Sequence, residues 1–433
     1  MKGNFWKLLK ALFLFYLAIF FNICVFGKEI RVGYGYSTNP DVKIAVQEAF
    51  SKTKERLGTS PDYLILFSTV DYDLEKLLKE VRKIAGQKTK IYGSTSCLGV
   101  LTKEGFHRGE KGALAMLGVV SKRIIFGVGG ADLDKFSPQE AGKKAITLAI
   151  KNARKSFAEK PRLVLITAAP GYEEDILKGI SEVVGEDVPC IGGSSADNTI
   201  EGKWAQFCND EVYKNGVVLT AIYTDLKIGI SYQSGYERTV KTGIVTKAKG
   251  RVIYEINNRP AAEVYNEWVD GTLSDFLKTG GKILAKTTFT PLAKVIKGRA
   301  DSWYFLSIHP LSFNLPEKSL SVFANVKTGE RVELMRGDWG MLLNRCFSTP
   351  RLALRSSKIK EENVAFGIFT FCAGTMLAIP EEERGKISLL VDKVLKGASF
   401  IGTFTFGEQG FVPGVGNIHG NLASSMVIFS KNE

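Results

Sequence analysis

One pattern of apolar and polar positions occurs three times along the chain. Tyr63-Leu64-Ile65-Leu66-Phe67 is a continuous apolar run, as expected of a strand buried on both faces. An amphipathic stretch from about Asp73 to Ala85 follows, with Leu74, Leu77, Leu78 and Val81 at helical spacing. Then comes Ile91-Tyr92-Gly93-Ser94-Thr95-Ser96. The second copy starts at Leu163-Val164-Leu165-Ile166. It continues through a helix over about Glu173 to Val184 and ends in Ile191-Gly192-Gly193-Ser194-Ser195-Ala196. The third starts at Val364-Ala365-Phe366-Gly367-Ile368-Phe369. Its helix is expected at about Glu382 to Leu395, and it ends in Phe400-Ile401-Gly402-Thr403-Phe404-Thr405-Phe406-Gly407-Glu408.

Each copy reads strand, helix, strand, then a Gly-Ser/Thr corner. A strand–helix–strand crossover predicts parallel pairing inside each unit. A further apolar run follows every corner, at Gly112–Val120, Gly216–Tyr223 and Leu422–Phe429, close enough to return antiparallel. The expected class is therefore α/β with mixed sheets flanked by helices, in two parts. The middle of the chain departs from the repeat. Ile230–Tyr232, Thr239–Lys247 and Arg251–Ile256 predict short strands, and Ala261–Trp268 begins a helix. Leu320–Val326 and Glu330–Leu334, joined by Lys327-Thr328-Gly329, predict a hairpin. The expected division is a targeting segment at 1–27, an N-terminal α/β domain at 28–230 and a C-terminal α/β domain at 231–433.

Composition adds boundaries to this picture. The 433 residues are 45% hydrophobic and 24% charged, which excludes a disordered chain. Beyond residue 27 no apolar run approaches the roughly 18 residues of a spanning helix. Lys2, Lys7 and Lys10 form a basic head before the apolar stretch from Ala11 to Phe26, and Val25-Phe26-Gly27 offers a small residue for cleavage. This is the pattern of a secretory signal, with an uncleaved anchor as the alternative. The expectation is an exported protein, periplasmic or extracellular, touching a membrane only through that segment if it is retained. The net charge of +13 falls to +10 without it. The remaining excess is spread over mixed-charge helices, and basic patches such as Lys241–Arg251 and Arg351–Lys360 lack stacked aromatics. A nucleic-acid groove is not expected.

The candidate chemistry is sparse. Histidines occur only at 107, 309 and 419, with no HExxH and no P-loop. Cysteines stand at 24, 97, 190, 208, 346 and 372 without metal-ligand spacing, so neither metal nor cofactor is expected. Gly33-Tyr34-Gly35 is read as a glycine-permissive strand rather than a dinucleotide loop. Gly93-Ser94-Thr95-Ser96 and Gly192-Gly193-Ser194-Ser195 combine small hydroxyl residues with backbone N–H groups. Such corners suit either an anion cradle or a hydroxyl-satisfied turn. Phe371-Cys372-Ala373-Gly374 ends a crossover strand, where ligands often sit. Gly407, Glu408, His419 and Asn421 cluster near two strand ends and complete the candidate ligand-binding set.

These motifs resemble the FIST family, a sensory module with N- and C-terminal parts. The N-terminal resemblance runs from Val32 to about Ile228 through Pro61–Phe67, Tyr92–Ser96 and Ile191–Asp197. The C-terminal resemblance runs from about Tyr254 to Phe429 through Tyr254–Ala262, Phe371–Gly374, Gly402–Glu408 and His419–Asn421. Thr375 stands where the family usually has Arg after Cys-x-Gly, and Gly420 separates a His-Asn pair usually adjacent. The resemblance implies signal transduction through binding of a small molecule, with amino acids or carboxylates as the class, rather than catalysis. It leaves room for a separate membrane signalling partner. Two alternatives stay open. One is an enzyme with Cys97 or Cys372 as nucleophile and His419 or His309 as base. The other is an envelope protein that binds only another protein.

Overall fold

A computed structural model describes residues 30–299 and 302–433. The expected targeting segment at 1–27 lies outside them. Among the described residues no helix is long and apolar enough to cross a membrane.

The repeated unit is longer than its apolar core suggests. The first runs β1 (Ile30–Ser37), α1 (Val42–Leu57), β2 (Tyr63–Ser68), α2 (Leu74–Ala85), β3 (Lys90–Thr95), a small hairpin of β4 (Val100–Thr102) and β5 (Gly105–His107), and β6 (Leu114–Ser121). The second repeats this order. It has β7 (Ile124–Asp132), α3 (Pro138–Asn152), β8 (Leu163–Ala168), α4 (Glu173–Val184), β9 (Cys190–Ser194), the hairpin β10 (Gln206–Cys208) and β11 (Glu211–Tyr213), and β12 (Gly216–Thr224). The third starts with β13 (Ile228–Gln233) and is then interrupted. An inserted sheet runs from β14 (Glu237–Lys249) to β22 (Arg331–Arg336) and carries the helices α5 (Ala261–Trp268), α6 (Phe276–Thr279) and α7 (Leu284–Thr287). The repeat resumes with α8 (Trp339–Ser356), β23 (Val364–Cys372), α9 (Ala373–Ala378), α10 (Lys386–Leu395), β24 (Ser399–Thr405), the hairpin β25 (Glu408–Val412) and β26 (Gly416–Gly420), and β27 (Ser424–Ser430).

Parallel crossover pairs form as expected, β2 with β3, β8 with β9 and β23 with β24. The returning strands β6, β12 and β27 lie antiparallel to β2, β8 and β23. The small hairpins do not stay at home. That of the first repeat pairs with β24 of the third, that of the second with β3 of the first, and that of the third with β9 of the second. Three six-stranded mixed sheets result, each finished by a neighbour and each linked to the next in a closed cycle.

Alternation of side chains sorts the apolar runs between two layers. The inner faces of all three sheets share one core, including Tyr63, Ile65, Phe67, Phe126, Leu165, Phe366, Ile368 and Phe429. Tyr63 stacks on Phe126 at 4.1 Å, and its hydroxyl meets Thr220 Oγ1 at 2.9 Å. The outer faces bury against α1 and α2, against α3 and α4, and against α8 and α10 in three separate cores. The strand reading of Gly33 and Gly35 has a packing reason. A Cβ on Gly35 would lie 2.0 Å from Ala49 O of α1, and one on Gly33 would lie 2.1 Å from Thr53 O. Gly127, Gly129 and Gly229 admit α3 and α8 in the same way.

Two expectations are corrected. The helix expected from Glu382 starts at Lys386, because Glu381–Glu383 forms a separate 3-10 turn after Pro380. The hairpin expected across Lys327-Thr328-Gly329 does not form. The strand Ser319–Val322 pairs with Val252–Ile253, while β22 pairs with β14 and with Leu292–Lys294. Val326 and Gly329 bond instead to Gly250 and Val245, so the turn straddles a β-ribbon rather than closing one.

The close helix contact makes a direct prediction. Gly35→Ala forces α1 off its strand and is expected to cost on the order of 2–3 kcal/mol in urea unfolding. Gly385→Ala, where an added Cβ meets nothing within 4 Å, is expected to change stability by less than about 1 kcal/mol. Equal effects would contradict the packing account.

Candidate functional site

The three Gly-Ser/Thr corners meet around the common axis and bond one another in turn. Ala196 N–H donates to Thr95 O at 3.1 Å, Ser194 N–H to Gly407 O at 2.8 Å, and Cys97 N–H to Phe404 O at 3.1 Å. Gly93 and Gly192 stand at matching positions, where a Cβ would lie under 2 Å from the carbonyls of Leu66 and Ile166. They are glycine so that the parallel neighbour can pass.

The first two corners spend their polar groups on the fold. Thr95 N–H donates to Ala205 O, Ser96 N–H to Ser68 O and Ser195 N–H to Ala168 O. Ser96 Oγ donates to Gly99 O (2.6 Å) and accepts from Phe404 N–H (2.9 Å). Thr95 Oγ1 accepts from Ala205 N–H, and Ser195 Oγ donates to Ala168 O. The backbone N–H groups that the sequence offers to an anion are thus occupied. Between the sheets, Ser94, Gly192 and Gly193 line a cavity of about 10 Å³. That is room for about one water molecule and no more.

The third corner differs. Here Cys372, Glu408 and Asn421 come together with His309 and with residues the sequence reading did not select. Glu408 is fully buried. Its Oε1 accepts from Thr405 Oγ1 (2.7 Å) and its Oε2 from Ala423 N–H (3.0 Å). Burial raises its pKa to about 8, against the opposing pull of Ala423, Thr405, Cys372 and Arg345. Arg345 reaches in from α8 and is 2% exposed. Its Nη1 donates to Leu422 O, and its Cζ sits 4.8 Å over the Tyr236 ring. Its Nε and Nη2 have no hydrogen-bond partner. The Tyr232 hydroxyl, His309 Nε2, Thr375 Oγ1 and Ser307 Oγ are buried there and likewise unpartnered. Burial lowers His309 to about 3, so its ring is neutral. The inserted sheet forms the roof. Asn421 Oδ1 accepts from His309 N–H (3.1 Å), and Asn421 N–H donates to Ser307 O (2.9 Å).

Arg345 carried a signal in the sequence. It falls on the apolar stripe of its helix with Leu342, Cys346, Thr349 and Ala353, where a cation is out of place. Tyr232 had none, as a tyrosine ending a short strand.

His419 faces the other way, across Gly407. Gly407 has φ +139°, and a Cβ there would lie 2.6 Å from the imidazole. Gln409 bridges Ser194 Oγ and His419 Nδ1, each at 3.2 Å. Glu173 accepts from Ser194 Oγ (2.7 Å) and from Arg251 Nη2 (2.6 Å), with His419 Nε2 at 3.8 Å. Burial alone would raise Glu173. His419, Arg251 and Ser194 outweigh it and hold the carboxyl at about 2. Glu173, Glu174 and His419 offer three ligand atoms within 4.8 Å of one another. Arg251 already bonds both carboxylates, Glu174 at 2.7 Å, so a divalent ion would have to displace it. The arrangement is an ion-pair clamp between the inserted sheet and α4.

The five described cysteines are free and buried. Burial pushes the Cys97 and Cys372 thiols up to about 12, with Asp197 and Glu408 adding to the shift. Both stay protonated at neutral pH, which removes support from a thiolate nucleophile. His107 stacks on Tyr36 at 3.5 Å and bonds Thr102, away from all three corners.

Comparison with known proteins places this architecture. An uncharacterized protein of Methanocaldococcus jannaschii is 33% identical over 144 residues, which is 33% of this chain and 26% of that protein. The match spans about a quarter of the relative's length. A solved cyanuric acid hydrolase from A. caulinodans aligns over 93% of this chain and 99% of its own at 8% identity, with a TM-score of 0.35. PurL of T. maritima bound to AMPPCP aligns over 93% and 72% at 11% identity, with a TM-score of 0.21. Overlaps this loose carry no argument about chemistry. Residues 62–259 match the FIST N domain and residues 261–411 the FIST C domain, and the boundary between them falls inside the inserted sheet. The chain belongs to the FIST family of signal-transduction sensory domains.

Proposed function

We propose that this chain is an exported sensory module that binds a small carboxylate, such as an amino acid, at the third corner and passes the signal to a separate membrane partner. The observation that carries the reading is Arg345, buried with Nε and Nη2 unpartnered. A buried guanidinium without an anion is costly, and its fork matches a carboxylate. With Glu408 and His309 neutral, no carboxylate among the described residues of the corner balances the charge, which leans on the face of the Tyr236 ring. Tyr232, Thr375 and Ser307 supply hydroxyls for the rest of a polar ligand. The inserted sheet covers the corner through Asn421, so binding beneath it has a route to a change at the surface. Export rests on the basic head and apolar stretch at 2–26.

Thermal-shift screening with amino acids and small mono- and dicarboxylates tests the reading. A ligand at 100 times its dissociation constant adds about 2.7 kcal/mol. Arg345→Met is expected to keep or raise the unliganded melting temperature, since it removes a buried unpaired charge, and to abolish the shift. A shift of the same size in that variant, or none in the folded wild type across the library, contradicts the proposal.

The charge state of the corner has its own signature. Glu408 is raised from its ordinary 4.5 to about 8, so between those values the folded protein holds a proton that the unfolded chain releases. Stability therefore falls as pH rises through this window. The expected loss from pH 5 to pH 8 is on the order of 3 kcal/mol, and Glu408→Gln should remove that component of the slope. Parallel pH profiles for wild type and variant would show that Glu408 is ionised in the fold.

A further inference from the structure

The three linked sheets close around their shared core like a barrel, and its end opposite the corners carries a different feature. At this end α3 finishes and β3 and β7 begin. Lys90, Lys151, Arg154 and Lys155 converge there on a groove of about 640 Å³, together with Ile125 and without a carboxylate. Lys155 is paired with Glu159 at 2.6 Å. Among the described residues Lys151 and Arg154 enter no ion pair. Lys90 is half-buried. Burial and the neighbouring Arg154 hold its ammonium below the ordinary lysine value, against the opposing pull of Asp62 outside the groove's lining. In the groove Ile125 is 40% exposed, and Phe157, two residues beyond Lys155 in sequence, is 53% exposed. The related position in the third repeat, at the end of α8, is also basic. Arg351, Arg355, Lys358 and Lys360 line a second groove of about 550 Å³, tempered by Glu361 and Glu362. The helix dipole favours cations in a last turn, which accounts for Lys151. It does not account for Lys90, which arrives from another sheet and whose Nζ donates to Phe126 O of β7, or for the exposed Phe157 two residues beyond Lys155.

The register of the first sheet says what lies nearby. Val32, Val119, Tyr63 and Lys90 stand side by side across β1, β6, β2 and β3, and Ile30 pairs with Ser121 just beyond. Lys90 is thus three strand spacings, about 14 Å, from the point where residue 30 joins the sheet. Gly27-Lys28-Glu29 separate Ile30 in sequence from the apolar stretch Ala11–Phe26.

We propose that this end of the barrel docks on an anionic phospholipid bilayer, with the basic grooves facing the headgroups and Phe157 at the interface. Surface potential from anionic lipids acts within about a Debye length, and Ile30, where β1 starts, lies at this same end of the first sheet as Lys90. The corners and the inserted sheet then point away from the bilayer.

Hydrogen exchange on the full chain in vesicles tests this. One set is phosphatidylcholine alone, and the other contains one part phosphatidylglycerol to three of phosphatidylcholine. Exchange over residues 151–157 and 355–360 should slow severalfold on the anionic vesicles only. The protection should vanish in high salt and, for 151–157, in the double variant Lys151→Glu/Arg154→Glu. Equal exchange on both vesicle types, failure to associate with the anionic set, or protection that survives the double variant would each overturn the proposal.

Discussion

Three short hairpins decide the shape of this molecule. Without them β3, β9 and β24 would be edge strands of four-stranded sheets, with a row of unpaired N–H and C=O groups facing outward. Each is covered by a hairpin that leaves its own repeat, and the exchange runs in a closed cycle. No repeat can satisfy its backbone until the other two are in place. The same exchange brings the Gly-Ser/Thr corners together, because a hairpin that crosses to the next sheet must start beside that sheet's own corner. Pairing between residues as far apart as Leu101 and Gly402 also makes the topology strongly non-local, which predicts slow folding relative to chain length.

Function enters where the cycle loses its symmetry. Two corners spend their hydroxyls and backbone groups on the fold and on the neighbouring corners. The third receives a buried Glu408 at the start of its hairpin, a guanidinium from α8 and a roof from the segment inserted between β13 and α8. The insertion is tied down on one side by His309 and Asn421, over the corner. On the other side Arg251 locks into Glu173 and Glu174 at 2.6 and 2.7 Å. The unpartnered atoms of Arg345 and Tyr232 lie under that roof.

Much of the fold was legible because the apolar runs and helical faces of the second strand, second helix and third strand are strong in all three repeats. The first helix of each repeat was missed, and of the first strands only pieces were read, at Gly33–Gly35 and Ile230–Tyr232, since Gly33, Gly127 and Gly229 break the apolar runs that would mark them. The hairpins were invisible for a different reason. Val100–Thr102 and Gln206–Cys208 are three residues long, and which sheet they join is a property of the whole ring. The sequence brought Cys372, Glu408 and Asn421 into view as small or polar residues near strand ends. It separated neither His419 and Ser194, which belong to the ion-pair clamp, nor Ser96 and Ser195, whose hydroxyls bond the surrounding fold. The expected departure at Thr375 proved informative. The guanidinium of this corner is supplied by Arg345, distant in sequence and carried on another element.

The central claim is that the three exchanged hairpins form one cooperative unit on which the third corner depends. Native-state hydrogen exchange in low denaturant reads it directly at Leu101, Phe207 and Gln409, one amide from each hairpin. The account predicts that all three open with one free energy, equal to that of global unfolding. A hairpin that opens alone at a markedly lower free energy, while the other two stay protected, would contradict it.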